Sequence, residues 1–158
     1  MDKITPCLWF DGKAEEAAKF YASLIPDSRV VNVDRAPADT PSGPKGSVLS
    51  VEFELAGRSF LGLNGGPEFK FDEAISFQVH CKDQNEVDYF WKALSAGGKE
   101  GPCGWLKDKF GLSWQVVPQV LFDMLMDPDQ TKSQRVTKAF LQMKKFDIAE
   151  LQRAYAGH

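Results

Sequence analysis

The chain repeats itself. A shift of 70 residues places Glu16-Ala17 on Glu86-Val87, Phe20-Tyr21 on Phe90-Trp91, Leu24 on Leu94 and Pro6 on Ser76. A shift of 54 places Gly57-Arg58-Ser59-Phe60-Leu61 on Gly111-Leu112-Ser113-Trp114-Gln115. Two matching blocks in the same order restrict the architecture more than any single motif does, because each half must then be the same supersecondary unit.

Hydrophobic periodicity gives that unit its elements. Residues 4–10 read as a strand, turned by Asp11-Gly12 into a helix over 13–24. Ala14, Ala17, Ala18, Tyr21 and Leu24 recur there at spacings of three and four. Arg29 to Val33 suits a short strand, and the proline-rich stretch 36–46 reads as a loop. Strands follow at 47–55 and 58–63, joined at Ala56-Gly57, before Asn64-Gly65-Gly66-Pro67 breaks the pattern. The second unit repeats the order, with a strand over 75–81 and a helix over 85–94 stopped by Gly97-Gly98. Irregular chain through Pro102 to Trp105 and a turn at Lys107-Asp108 leads to a strand over 112–117. The tail reads as helical. Val136, Ala139, Phe140 and Met143 form an apolar stripe, Pro128 suits a helix start, and Asp147 with Glu150 forms a capping pair. The expected organisation is one domain over 1–158, with module one at about 1–66, module two at about 72–118 and C-terminal helices at about 119–156.

Charge and cysteine content exclude several function classes. The net charge is -3 with no basic stripe, so nucleic acid is not an expected partner. No apolar run approaches the roughly 20 residues that span a bilayer, and the first residues lack the pattern of a signal peptide. Cys7, Cys81 and Cys103 are odd in number and show no CxxC spacing. They are expected to be reduced and packed like small apolar groups in a cytoplasmic protein. His80 and Cys81 adjoin, but neighbours on a strand point to opposite faces, so they should not act together.

Strand alternation sorts the candidate site. Cys7, Trp9, Phe77, Val79, Trp114 and Val116 are assigned to the helix-facing side. Pro6, Leu8, Phe10, Leu61, Leu63, Ser76, Gln78, His80, Ser113 and Gln115 are assigned to the other side, an apolar wall with a few amide, hydroxyl and imidazole groups, as small-molecule sites tend to be. His80 is either a general base or a satisfied strand-end histidine. Gln115 either bonds backbone or water, or orients a ligand carbonyl or hydroxyl. Trp105 is a candidate stacking partner and Trp114 belongs to the core. Cys103 is a soft contact or a packing residue, and Asn64 either reaches the site or shapes the turn. Lys107, Asp108 and Lys109 read as a solvated turn.

Two segments resemble a known family. Pro-x-Leu-x-Phe-x-Gly-x-Ala-Glu-Glu-Ala-x-x-Phe-Tyr, from Pro6 to Tyr21, is similar to the PhnB-like branch of the vicinal oxygen chelate superfamily. So is the stretch Cys103-Gly104-Trp105-Leu106-Lys107-Asp108-Lys109-Phe110-Gly111-Leu112-Ser113-Trp114-Gln115-Val116-Val117-Pro118. That branch often carries the label of a demethylubiquinone methyltransferase domain. The resemblance implies an α+β fold of paired βαβββ modules, a curved, mostly antiparallel half-barrel sheet as in glyoxalase and bleomycin-resistance proteins, here with extra C-terminal helices. It also implies a homodimer.

The resemblance places the superfamily's metal-ligand positions at Pro6, Leu61, Ser76 and Gln115. Side chains of these types cannot offset the dehydration of a divalent cation, so no metal is expected. The first strand–helix turn holds one glycine, so no nucleotide-type cofactor is expected either. The leading expectation is a metal-independent protein binding a small, partly apolar molecule through Leu8, Phe10, Leu61, Leu63, Asn64, Ser76, Gln78, His80, Cys103, Trp105 and Gln115. The alternative is an isomerase, lyase or transferase of the same superfamily using His80 or Gln115 on a small oxygenated substrate. A third reading is methyl transfer to a quinone precursor.

Overall fold

The computed structural model describes residues 1–158 as two compact units, Met1–Phe71 and Asp72–His158. The first runs β1 (Cys7–Phe10), α1 (Ala14–Leu24), β2 (Arg29–Arg35), β3 (Val48–Leu55) and β4 (Arg58–Asn64). Its sheet has the order β1-β4-β3-β2, with β1 parallel to β4 and the other pairs antiparallel. The second runs β5 (Ser76–Cys81), α2 (Gln84–Ser95), β6 (Lys99–Glu100), β7 (Trp105–Lys107) and β8 (Ser113–Pro118), in the order β5-β8-β7-β6 with the same parallel and antiparallel pattern. Three helices complete the chain: α3 (Gln119–Leu125), α4 (Gln130–Phe140) and α5 (Ile148–Ala156). The α+β class and the repeated βαβββ order are those expected.

Each helix packs one face on its sheet. In α1, Ala14, Ala17, Ala18 and Tyr21 are buried. Gly62 admits the helix closely, since a Cβ there would meet the Ala14 Cβ at 3.2 Å. Lys13 supplies no side-chain cap, so Asn64 does it from β4. Its Oδ1 accepts from the Ala14 N–H at 2.9 Å, and its Nδ2 donates to the Val48 carbonyl at 3.0 Å. In α2, Val87, Phe90, Trp91 and Leu94 are buried, and Asp83 caps by accepting from the Glu86 N–H. The β3–β4 hairpin turns at Ala56 and Gly57, both with positive φ (49° and 78°), as a two-residue loop of this hand requires.

Several sequence expectations need correction. β1 starts at Cys7, not at residue 4. Chain read as irregular between Gly98 and Lys107 contains β6 and β7, strands of two and three residues too short to show alternation. Asp108 is no solvated charge, being 2% exposed. It accepts from the Phe110 and Leu112 N–H groups and from Trp114 Nε1, closing the β7–β8 connection. Pro128 does stand at a helix start, immediately before the α4 cap, Asp129. Asp147 does cap α5, accepting from the Glu150 N–H at 3.1 Å. Cys7 is exposed, against the expectation that all three thiols pack inside.

The largest correction concerns the faces of β1. Cys7 stands opposite Leu61 and Trp9 opposite Leu63, while Leu8 pairs with Gly62 and Phe10 with Asn64. Leu8 and Phe10 are 6% and 4% exposed and lie on the helix side. In the second unit Gln78 stands opposite Gln115, so the first strands are offset by 71 residues while the helices are offset by 70. The difference lies in the strand–helix connection: Asp11, Gly12 and Lys13 in one half, Lys82 and Asp83 in the other. Because side chains alternate along a strand, an offset of one residue inverts the face assignment.

Candidate functional site

The face of the second sheet away from α2 carries two adjacent rows of side chains. Lys99, Lys107, Ser113 and Ser76 are register partners across β6, β7, β8 and β5. Trp105, Gln115 and Gln78 form the neighbouring row across β7, β8 and β5. Alternation puts both rows on one face, with Leu106 and the buried Trp114 on the other.

Gln115 lies at the centre of a side-chain chain. Its Nε2 donates to Ser76 Oγ at 2.8 Å, and its Oε1 accepts from Gln78 Nε2 at 3.2 Å. The amide is thereby oriented, while the Gln78 carbonyl oxygen and the Ser76 hydroxyl proton are not used in these two bonds. Trp105, half-buried, stands opposite Gln115 on β7. A cavity of about 480 Å³ opens beside it, with Lys99, Lys107, Glu73 and Ser113 in its wall. Lys107 pairs with Glu73, and that hydrogen bond holds the Glu73 carboxyl below the usual carboxylate range.

Other predicted site residues fall elsewhere. His80 is exposed at the far end of β5, its ring tilted against Phe122 of α3 with centroids 5.2 Å apart. Cys103 packs on the C-terminal helices, its N–H donating to the Met143 carbonyl at 2.8 Å. In the first unit Leu61 and Leu63 share the outward face with Cys7 and Trp9. Asn64 is buried and serves as cap and strand tie. Sequence reasoning missed Lys99, Lys107 and Glu73, because their placement depends on the two short strands it did not see. Two lysines eight positions apart offered no signal without the β6–β7 turn between them.

A model of the 3-demethylubiquinone-9 3-methyltransferase family matches residues 2–117. A solved PhnB protein from Bacillus cereus, described as a putative 3-demethylubiquinone-9 3-methyltransferase, is 35% identical, with a TM-score of 0.66, over 74% of this chain and 99% of its own. The chain belongs to this PhnB-like family of the vicinal oxygen chelate superfamily. Protein PA1353 from Pseudomonas aeruginosa (18% identity, TM-score 0.56, 75% and 98% of the two chains) shares the fold. So does the fosfomycin resistance protein FosX from Mesorhizobium loti (11% identity, TM-score 0.51, 74% and 92%). No curated protein matches the chain.

The PhnB-like chain does not present the donor set of a chelate centre. Of the four expected positions, Ser76 and Gln115 are bonded to each other and Leu61 has no donor, while Pro6 gives way in the observed register to Thr5, whose hydroxyl donates to the Asp2 carbonyl at 2.7 Å. No three His, Cys, Asp or Glu side chains cluster as a metal site would require. The helix N-termini that could cradle an anionic cofactor are capped by Asn64 in α1 and Asp83 in α2. No helix is long and apolar enough to cross a membrane.

Proposed function

We propose that this PhnB-like protein is a metal-independent binding protein whose second sheet holds a small, partly apolar molecule. The observation carrying this reading is the oriented chain Gln78–Gln115–Ser76 beside the half-buried Trp105. A ligand carbonyl would accept from the Ser76 hydroxyl, a ligand hydroxyl would donate to the Gln78 oxygen, and an apolar or aromatic body would lie on the Trp105 ring. His80 stands apart from this group and has no assigned role in it. The reading includes a homodimer, as the family resemblance implies.

Thermal unfolding against a panel of small oxygenated compounds tests the proposal, with chelator and with added divalent ions. A ligand at a hundred times its Kd stabilises by about 2.7 kcal/mol, a clear shift. The expected outcome is stabilisation in chelator that Gln115→Ala abolishes. Stabilisation only with added metal would overturn the metal-independent reading. Sedimentation equilibrium reads the dimer, and a monomer throughout the micromolar range would remove it.

A further inference from the structure

We infer that the cavity beside Ser113 receives a compact oxyanion, carboxylate or phosphate, carried by the molecule held at Gln115, and that Glu73 is the internal counter-ion this group displaces. The inference rests on the binding reading above and names its ligand class. Three observations carry it.

First, Lys99 and Lys107 stand directly opposite each other on β6 and β7. Like charges in that position destabilise a strand pair, so the arrangement calls for an anion between or beside them. Glu73 already answers part of that need through its ion pair with Lys107, at a side chain that is itself 61% exposed and so free to move aside. The Lys107 hydrogen bond is the main reason the Glu73 carboxyl lies below the usual carboxylate range, with the Lys99 charge the smallest contributor. Glu100 also lines the cavity, with its Oε1 accepting from Trp91 Nε1 at 3.0 Å.

Second, Ser113 is 1% exposed, and its Oγ has no hydrogen-bond partner although it lies in the cavity wall. A buried hydroxyl without a partner costs roughly 1–3 kcal/mol. An oxyanion between the lysines would accept its proton and remove that cost.

Third, the spacing matches one small molecule. The lysine row and the Gln115 row are two residues apart along β8, about 6.6 Å at ordinary strand rise. A molecule with an oxyanion at one end and an aromatic or branched body at the other reaches from Lys107 and Ser113 to Trp105 and Gln115. The predicted ligand class is thus a small organic acid or phosphate ester.

Calorimetry on the full-length protein with phenylacetate, phenyl phosphate and the neutral phenylacetamide tests this. At least one of the two anions should bind roughly tenfold or more tightly than the amide, and which one binds better identifies carboxylate or phosphate. Glu73→Gln should tighten anion binding by about fivefold, while Lys107→Gln should weaken it by a similar factor. Circular dichroism of each variant confirms the fold, and both positions are exposed enough to tolerate the change. Equal binding of phenylacetamide and the anions would overturn the oxyanion inference and leave the Gln115 site standing. Unchanged or weakened anion binding in Glu73→Gln would overturn the counter-ion role. Failure of all three compounds to bind, neutral and charged alike, would remove the underlying binding reading as well.

Discussion

Cys81 and Cys7 show how differently the same side chain is treated in the two halves. Cys81 is buried at the end of β5, and burial, with smaller contributions from Glu86 and Asp83, pushes its thiol up to about 12. Cys7 is on the surface, and its partial desolvation raises it too. A thiol reagent at pH 8 should therefore modify Cys7 first and reach Cys81 only as the protein unfolds, as peptide mapping after timed labelling would read. The raised Cys81 value also carries a sign. Its contribution to stability is complete below the unfolded thiol value and is lost as pH rises toward about 12. Asp108 is the more demanding residue. Replacing it by alanine leaves the Leu112 N–H and Trp114 Nε1 without their acceptor in the core, and a loss of about 3 kcal/mol or more is expected in urea unfolding. A charged residue between two lysines in sequence reads as surface; its burial follows from three donors converging on it, which only the folded turn brings together.

At the level of elements, the long periodic segments were legible and the short ones were not. Tyr21 and Leu24, like Trp91 and Leu94, repeat on one helix face over three turns, a pattern that survives without tertiary context. Trp105 to Lys107 has no such length, and its strand exists because β8 offers it a ladder. The open-face residues Ser76, Gln78 and Gln115 were found because β5 and β8 alternate cleanly, whereas Leu8 and Phe10 were misplaced by a connection one residue longer. The tail adds a testable contact. Tyr155 of α5 donates to Asp127, which precedes α4. That bond lowers the Asp127 carboxyl and raises the Tyr155 phenol. The depressed carboxyl stabilises above its unfolded value, and this is lost as acid brings the pH down through its folded value. The raised phenol stabilises below its unfolded value, and this is lost as alkali brings the pH up through its folded value. Tyr155→Phe should lower Tm on the plateau between the two limbs of a plot of Tm against pH and flatten both limbs, the difference from the parent closing at the acid and alkaline extremes.

For the whole chain, the family model stops at residue 117, just before α3. The three C-terminal helices beyond that point are nevertheless built into the second unit. Val117, Leu121, Met124, Val136, Met143, Phe146 and Leu151 form one apolar cluster. The Cys103 and Gly104 N–H groups donate to the Met143 and Lys144 carbonyls, each at 2.8 Å, and a Cβ on Gly104 would meet the Phe146 ring at 2.4 Å. A chain ending at Pro118 should therefore lose cooperative melting or solubility, since it exposes one side of that cluster and strips two backbone donors of their acceptors. Cooperative melting of the shortened chain at the full-length Tm would disprove this. The two halves also differ in the connection from first strand to helix, three residues against two. In a duplicated fold, that is a difference of a single codon. The added residue is taken up in the connection, so β1 keeps on β4 the pairing that β5 keeps on β8, and only a count of positions carried from one half to the other lands on the wrong face.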